Sequence, residues 1–456
     1  MVGWIVLALA ACSGGETPLG DMDAEGGVED AAEGGDGPPD DAAPDGDAEP
    51  EADGTAGAVS VLVRFVDWPG DPVAAPGVVV AFDAPDGTRS EAPTGADGRV
   101  SFDVADWSAG TASVTAWAED RQLVSRVGIT AADGEVGLEL WRLGNPVGFV
   151  ELSGTVTSIP YEEDALTVSA TVPSTFFGSD YLSPGADWSV MVPPSTPCKL
   201  IASARRSTAR PSGRGFDQII DGWAMVDQPA VDGPTVVSID FVANAATPTT
   251  VAGSYLLPVR EESRLHGPAS YGWLWVTSAD SKQSGAIGLT TMLDINADGT
   301  ALEFGLEYLQ PAGITRPMTC YLVNRNGASD SARSVACEEG WPTAGAHDPG
   351  LLDAPTLVPP GTPSTRRPLF GGFTWQIFDH GVHVALHLVR DGAYVWTIVT
   401  PDDATSLSVP QPPSTINLAE LLGSHVAQGD LTIWQMSAAG DYQTKAAVSE
   451  LFIVEF

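Results

Sequence analysis

Three histidines, His380, His383 and His387, stand close enough together to suggest a metal site. On a helix, His383 and His387 would share a face and could grip one ion. The residues around them point elsewhere. Val382, Val384, Leu386 and Leu388 alternate with the histidines, which is a strand period. Four residues along a strand span roughly 13 Å, too far for one ion. The expectation is a hairpin with its histidines on the solvent face and no metal. Arg205, Arg206, Arg210 and Arg214 fall in a Ser/Pro/Gly-rich stretch and concentrate positive charge. Guanidinium forks there could hold phosphate or carboxylate, as on lipid headgroups or acidic glycans. A solvated loop balancing nearby acids is the plainer reading. Trp273 and Trp275 are two apart and share one face of a strand. Paired indoles could stack on a sugar, but ordinary sheet packing explains them as well.

Asp294-Ile-Asn-Ala-Asp-Gly299 matches the first half of a calcium-loop pattern, with Asp294, Asn296 and Asp298 as the candidate ligands. Gly305 stands where the bidentate acid should be, and strands rather than helices flank the motif. Three side-chain oxygens alone would bind calcium weakly. A hairpin turn using Asp298-Gly299 is the simpler account. The sequence holds no G-x-S-x-G elbow, H-E-x-x-H pair, phosphate loop or dinucleotide fingerprint. No catalytic residue, resident metal or cofactor is therefore assigned, and the expectation is a protein that is not an enzyme.

Cys12, Cys198, Cys320 and Cys337 are the four cysteines. Strand-like runs carry Cys320 and Cys337, and the turn Asn326-Gly327 lies between them. Hairpin pairing would set the two nearly opposite, where a disulfide can form in an oxidising compartment. The alternative is two reduced, buried thiols. Cys198 then has no partner and reads as a buried thiol.

Ahead of Cys12 runs the apolar stretch Val2–Leu9, about the length of a signal h-region and too short to span a bilayer. Leu9-Ala-Ala-Cys12 resembles the lipobox of bacterial lipoproteins. The resemblance implies a signal peptide at 1–11, cleaved before Cys12, and a diacylglycerol on its sulfur. Membrane attachment through Cys12 follows, with partners among envelope proteins or glycans. Ser13 and Gly14 lack the aspartate that in this family signals inner-membrane retention, so the implied site is lipid-anchored at the outer membrane, facing the periplasm or the cell surface. Residues 12–56 are built from Asp, Glu, Gly, Ala and Pro without Lys or Arg. Their apolar content is too low to offset the entropy of ordering, so a disordered acidic linker is expected.

The chain has 456 residues with a net charge of −39, which argues against nucleic acid as a partner. Fifty glycines, 36 prolines and only 18% charged residues favour turn-rich, all-β architecture. Val59, Val61, Val63 and Phe65 alternate with polar or outward positions, and Asp-Gly turns separate the strands that follow. Pro76-Gly-Val-Val-Val80, Thr94-Gly-Ala-Asp-Gly98-Arg-Val-Ser-Phe102 and Val114-Thr-Ala-Trp117 resemble carboxypeptidase regulatory-like (transthyretin-like) domains, which implies an accessory β-sandwich over 57–142. The expected layout continues with a second β-sandwich at 143–241, a β domain with the cysteine hairpin at 242–352, and an immunoglobulin- or fibronectin-like sandwich at 353–456. One short helix is expected at Leu418–Leu422, capped by Asn417 and stopped by Gly423. The function implied is non-enzymatic display of sandwiches from a membrane, for adhesion or for binding envelope proteins or polymers. The runner-up is a carbohydrate- or calcium-assisted ligand-binding module, and the third reading is a hydrolase whose site the sequence hides.

Overall fold

Val59, Val61 and Val63 turn inward from the strand Gly57–Val66, as their alternation requires, and are at most 2% exposed. The computed structural model describes residues 56–455 apart from 68–71, 144–147, 162–163, 173–174, 183–186, 210–215, 258–270, 279–287, 297–298, 312–313, 315–316, 325–331, 359–365, 391–392, 424–425, 436–443 and 450–451. Cys12, the stretch before it and the acidic segment after it lie outside the described residues. The chain is all-β, a tandem of β-sandwich domains with one short α-helix, Leu418–Leu421, among the described residues. Asn417 caps that helix by accepting from the backbone of Ala419 and Glu420, and Gly423 ends it at φ +76°.

In the first unit, Gly57–Val66 pairs antiparallel with Arg99–Val104 and parallel with Glu135–Trp141. The opposing sheet runs Arg89–Pro93, Val79–Asp83, Ala112–Trp117, Leu123–Ile129. Their inner faces enclose a core in which the Phe82 and Phe102 rings stack at 4.9 Å. The turn chemistry noted above has a mechanical role here. Thr94 is buried and its hydroxyl donates to the Ala75 carbonyl while accepting from the Val78 amide. Gly98 sits at φ +78°, and a Cβ there would lie 2.5 Å from the Val63 carbonyl oxygen.

The second unit has its own core around Leu152, Val168, Trp188, Leu200 and Ile239. Val150–Gly154 is flanked by Trp188–Val192 and Thr235–Val236. A second sheet runs Thr175–Leu182, Ala165–Val172, Cys198–Ala209, Phe216–Gln228.

The last two units share one core, which also takes in Leu123 of the first unit and Ile201 and Trp223 of the second. A single 17-stranded sheet runs through them and into the first unit. Arg333–Glu339 pairs with Thr444–Val448, joining third to fourth. Leu123–Arg126 runs parallel to Trp396–Val399, joining first to fourth. The second unit meets the third where Trp223 Nε1 donates to Glu307 at 3.2 Å. The units are therefore joined in a series of contacts, first to fourth, fourth to third, third to second.

The joint of first to fourth is densely built. Trp396 is fully buried, and its Nε1 donates to the Ser125 hydroxyl at 2.9 Å. Leu123, a first-unit residue, belongs to the core of the last units. Arg89 donates to the carbonyls of Gln411 and Pro412, and Glu91 accepts from the backbone and hydroxyl of Ser414. Gly128, at φ +72°, lies so close to Pro401 that a Cβ would sit 2.2 Å from its ring.

Cys320 and Cys337 are register partners on Pro317–Asn324 and Arg333–Glu339 and form a disulfide, with Cα atoms 4.0 Å apart. Around it, Met318, Leu322 and Val335 make a small separate core. The bridge closes a loop of 17 residues, for which chain entropy gives about 3 kcal/mol. Replacing both cysteines by serine should lower the unfolding free energy read from chemical denaturation by that amount, and an unchanged free energy would remove the bridge from the stability of the fold.

Candidate functional site

The densest polar cluster that includes a candidate residue lies at the end of the second unit's long hairpin. Arg205 and Arg206 are on the strand Cys198–Ala209, not in a loop, because the run Leu200, Ala202, Ala204 carries its inward alternation forward. Opposite them the partner strand bulges. Gly222 pairs with Ala204 and Ile220 with Arg205, so Asp221 is the extra residue. The Arg206 guanidinium holds Asp221 through two hydrogen bonds, 2.7 and 2.9 Å. Its face lies 4.1 Å from the ring centre of Tyr161, which is 51% exposed.

Asp164 completes the cluster. It is fully buried and accepts from the Tyr161 amide through Oδ2 at 3.2 Å, while its Oδ1 has no hydrogen-bond partner among the described residues. Burial, and then the Asp221 carboxyl beside it, push the Asp164 carboxyl up to about 6. Asp164 is sealed from any substrate. The Arg206 fork faces inward onto Asp221, so it does not offer that fork to an outside anion. Arg210 lies outside the described residues.

The histidines separate. His380 is exposed. His383 is paired with Asp402 at 2.6 Å and lies against Trp434. His387 corrects the solvent-face expectation. It is 1% exposed, its ring stacked 4.2 Å from Tyr394 and its Nδ1 3.0 Å from the Thr397 hydroxyl. The strand His383–Arg390 is covered on both faces, which a period of two cannot reveal. Burial pushes the His387 imidazole down to about 3. Asp430 pairs with His387 in register and is also fully buried. Burial pushes its carboxyl up to about 6, against the opposing pull of Arg333, Thr432 and Tyr394.

Asn296 is engaged in its own turn. Its Oδ1 accepts from the amides of Thr300 and Ala301, and its Nδ2 donates to the Thr300 hydroxyl. Asp294 ends within the strand Gly288–Ile295, and Asp298 lies outside the described residues. Trp273 and Trp275 are on the strand Tyr271–Ser278, in register with Leu322 and Cys320. The buried residues between and after them are Leu274 and Val276. Cys198 is a free, buried thiol that burial pushes up to about 11. Among the described residues, no three His, Cys, Asp or Glu side chains converge as a metal site.

Asp164, Asp221 and Asp430 were not singled out from sequence. Each is one acid among 60 Asp and Glu. The one available signal is an aspartate set directly against a β-rich apolar run, as in Asp164-Ala-Leu-Thr-Val168 and Asp430-Leu-Thr-Ile-Trp434.

No family profile matches the chain, and no curated protein resembles it by sequence. Solved structures align with it only distantly. The shaft pilin SpaA from Lactobacillus rhamnosus GG aligns at 10% identity over 41% of this chain and 98% of its own, with a TM-score of 0.16. A streptococcal ancillary pilin aligns at 8% identity over 64% of this chain and 99% of its own, with a TM-score of 0.15. Invasin, a bacterial integrin-binding protein, aligns at 9% identity over 87% of this chain and 79% of its own, with a TM-score of 0.11. Likeness at this level leaves function to be argued from the chain's own residues.

Proposed function

We propose that this chain is a non-enzymatic lipoprotein of the bacterial surface, holding a head of β-sandwiches away from the outer membrane for adhesion or for binding envelope proteins or polymers. The observation that supports it most is the joint between the first and last units. The unit that follows the acidic segment is built into the same sheet as the C-terminal unit, so the tether ends on a firm head and not on a loose first bead. The Leu9-Ala-Ala-Cys12 sequence supplies the anchor, and a run of like charges without Lys or Arg favours an extended spacer. Resemblance of the first unit to regulatory-like domains fits an accessory, presenting role. The buried polar clusters fit a structural role as well, since Asp164, His387 and Asp430 are closed to solvent.

Two acyl chains on one cysteine give stable membrane attachment, each buried CH₂ contributing about 0.8 kcal/mol. Cells grown with labelled palmitate should therefore label the mature chain, and extraction should require detergent. Cys12→Ala should abolish the label and move the protein to the soluble fraction. A wild-type chain that stays unlabelled and washes off in buffer would overturn the reading.

A further inference from the structure

In the fourth unit, Val384, Leu386, Leu431 and Ile433 point into the shared core, and their neighbours along each strand face the other way. Cover on that second face ends in one row. On the strand Val426–Gln435 it carries Asp430 and Thr432, at most 1% exposed, and then Trp434, which is half-buried. On the strand His383–Arg390 it carries His387 and Ala385, at most 1% exposed, and then His383, whose side chain is 40% exposed. His383 and Trp434 are register partners with ring centres 5.6 Å apart. An indole and an imidazole therefore come out of the sheet side by side.

A firmly held turn adds a carboxylate to this row. Asp403, at φ +53°, accepts from the amides of Gly381 and Val382 at 3.0 Å each, and its own amide donates to the Val382 carbonyl. Ala404 donates to the Pro401 carbonyl, and its own carbonyl accepts from Trp375 Nε1. Between them, Asp402 sets Oδ1 2.6 Å from His383 Nδ1 while its side chain stays 61% exposed. Among the described residues, His383 and Asp402 make no other hydrogen bond. The imidazole Nε2 and the second carboxylate oxygen are thus the open polar positions next to the indole.

We propose that Trp434, His383 and Asp402 form a binding site for neutral glycans, which rests on the binding role proposed above and names its ligand class. The indole packs against the C–H face of a pyranose ring, and the imidazole and carboxylate take its hydroxyls. A hydroxyl suits both partners. The carboxylate only accepts, Nε2 accepts when the imidazole is neutral and donates when it is protonated, and a hydroxyl can answer either way. A cationic side chain fits less well. Both Asp403 oxygens are spent on backbone amides, and the Asp402 carboxylate is already paired with His383. An anionic glycan would meet Asp402 and a chain of net charge −39. Strand ends and a braced turn hold the three groups in place before a ligand arrives, which lowers the entropic cost of binding.

Calorimetric titration of the full chain with neutral hexasaccharides of glucose, mannose, galactose and N-acetylglucosamine tests this. At least one should bind, and its affinity should hold within about twofold when salt is raised to about 0.5 M, because the ligand carries no charge. Trp434→Ala and Asp402→Ala should each weaken that sugar about tenfold, whereas Trp434→Phe, which keeps a ring face, should weaken it about threefold. Asp402 is exposed, so its variant decides even if Trp434→Ala fails to fold. Sugar binding that survives both alanine variants would overturn the assignment of the site. Hexalysine bound in place of the sugars, and released by salt, would overturn the ligand class. Failure of all four sugars to bind would overturn the proposal outright. None of these outcomes bears on the membrane anchor, which palmitate labelling reads separately.

Discussion

Trp396→Ala is expected to cost about 3–5 kcal/mol and to uncouple the first unit from the rest of the chain. The indole is fully buried and belongs to the shared core of the last two units. Its backbone opposes Leu123, and its Nε1 reaches Ser125 across 271 residues of sequence. Truncation removes a large apolar volume and leaves the Ser125 hydroxyl, itself 0% exposed, with only its contact to Thr115. The first unit has a core of its own, from Val59 to Leu140. It should then melt as a separate transition in calorimetry, where the wild type is expected to lose first and last units together. Ser125→Ala tests the joint more gently. It keeps the packing but orphans the buried indole N–H, at a cost of about 1–3 kcal/mol. Gly128→Ala attacks the same joint from the other side, through the Pro401 ring. Co-melting that survives Trp396→Ala would show that the paired strands are not what couples these units.

The acid dependence of the fourth unit should split into two opposed contributions. His387 is neutral in the fold, its imidazole held down to about 3 by burial, whereas in the unfolded chain it takes a proton near 6.5. Its contribution is therefore fully present above pH 6.5 and is lost as pH falls from there toward 3, at up to about 1.4 kcal/mol per pH unit. Asp430 works the other way. Its carboxyl is held up to about 6 against an ordinary 3.8, so its contribution is fully present below 3.8 and is lost as pH rises toward 6. Between 3.8 and 6 the two slopes largely cancel, and the wild type hides both. Urea titrations of His387→Asn and Asp430→Asn should uncover them. Relative to wild type, the histidine variant gains stability as pH falls, and the aspartate variant gains it as pH rises. Variants that run parallel to the wild type at every pH would mean that neither group is held in its buried, neutral form.

The strands, the short capped helix and the fold class were legible in the residues, because alternation, turn chemistry and capping act over a few positions. Val59, Val61 and Val63 announce their inward face, and Asn417 with Gly423 brackets the helix in the sequence as in the structure. Cys320 and Cys337 stand opposite for the same local reason, a hairpin centred between them. Burial on the second face was not legible. His387 and Asp430 occupy positions that a period of two assigns to solvent, and only the packing of other segments over that face removes them from water. Asp221 meets the Arg206 fork where a bulge inserts one residue opposite Ala204 and Arg205, and register between strands leaves no mark in either strand alone.

What the sequence by itself determined is the kind of material: short β-strands with one apolar face, punctuated by Asp-Gly turns. What only the tertiary structure decided is which edges meet. An open strand edge offers the same amides and carbonyls whatever its neighbour, so the pairing of Leu123–Arg126 with Trp396–Val399 rests on side chains gathered from distant parts of the chain: an indole, a hydroxyl, a glycine and a proline ring that fit one another only in three dimensions.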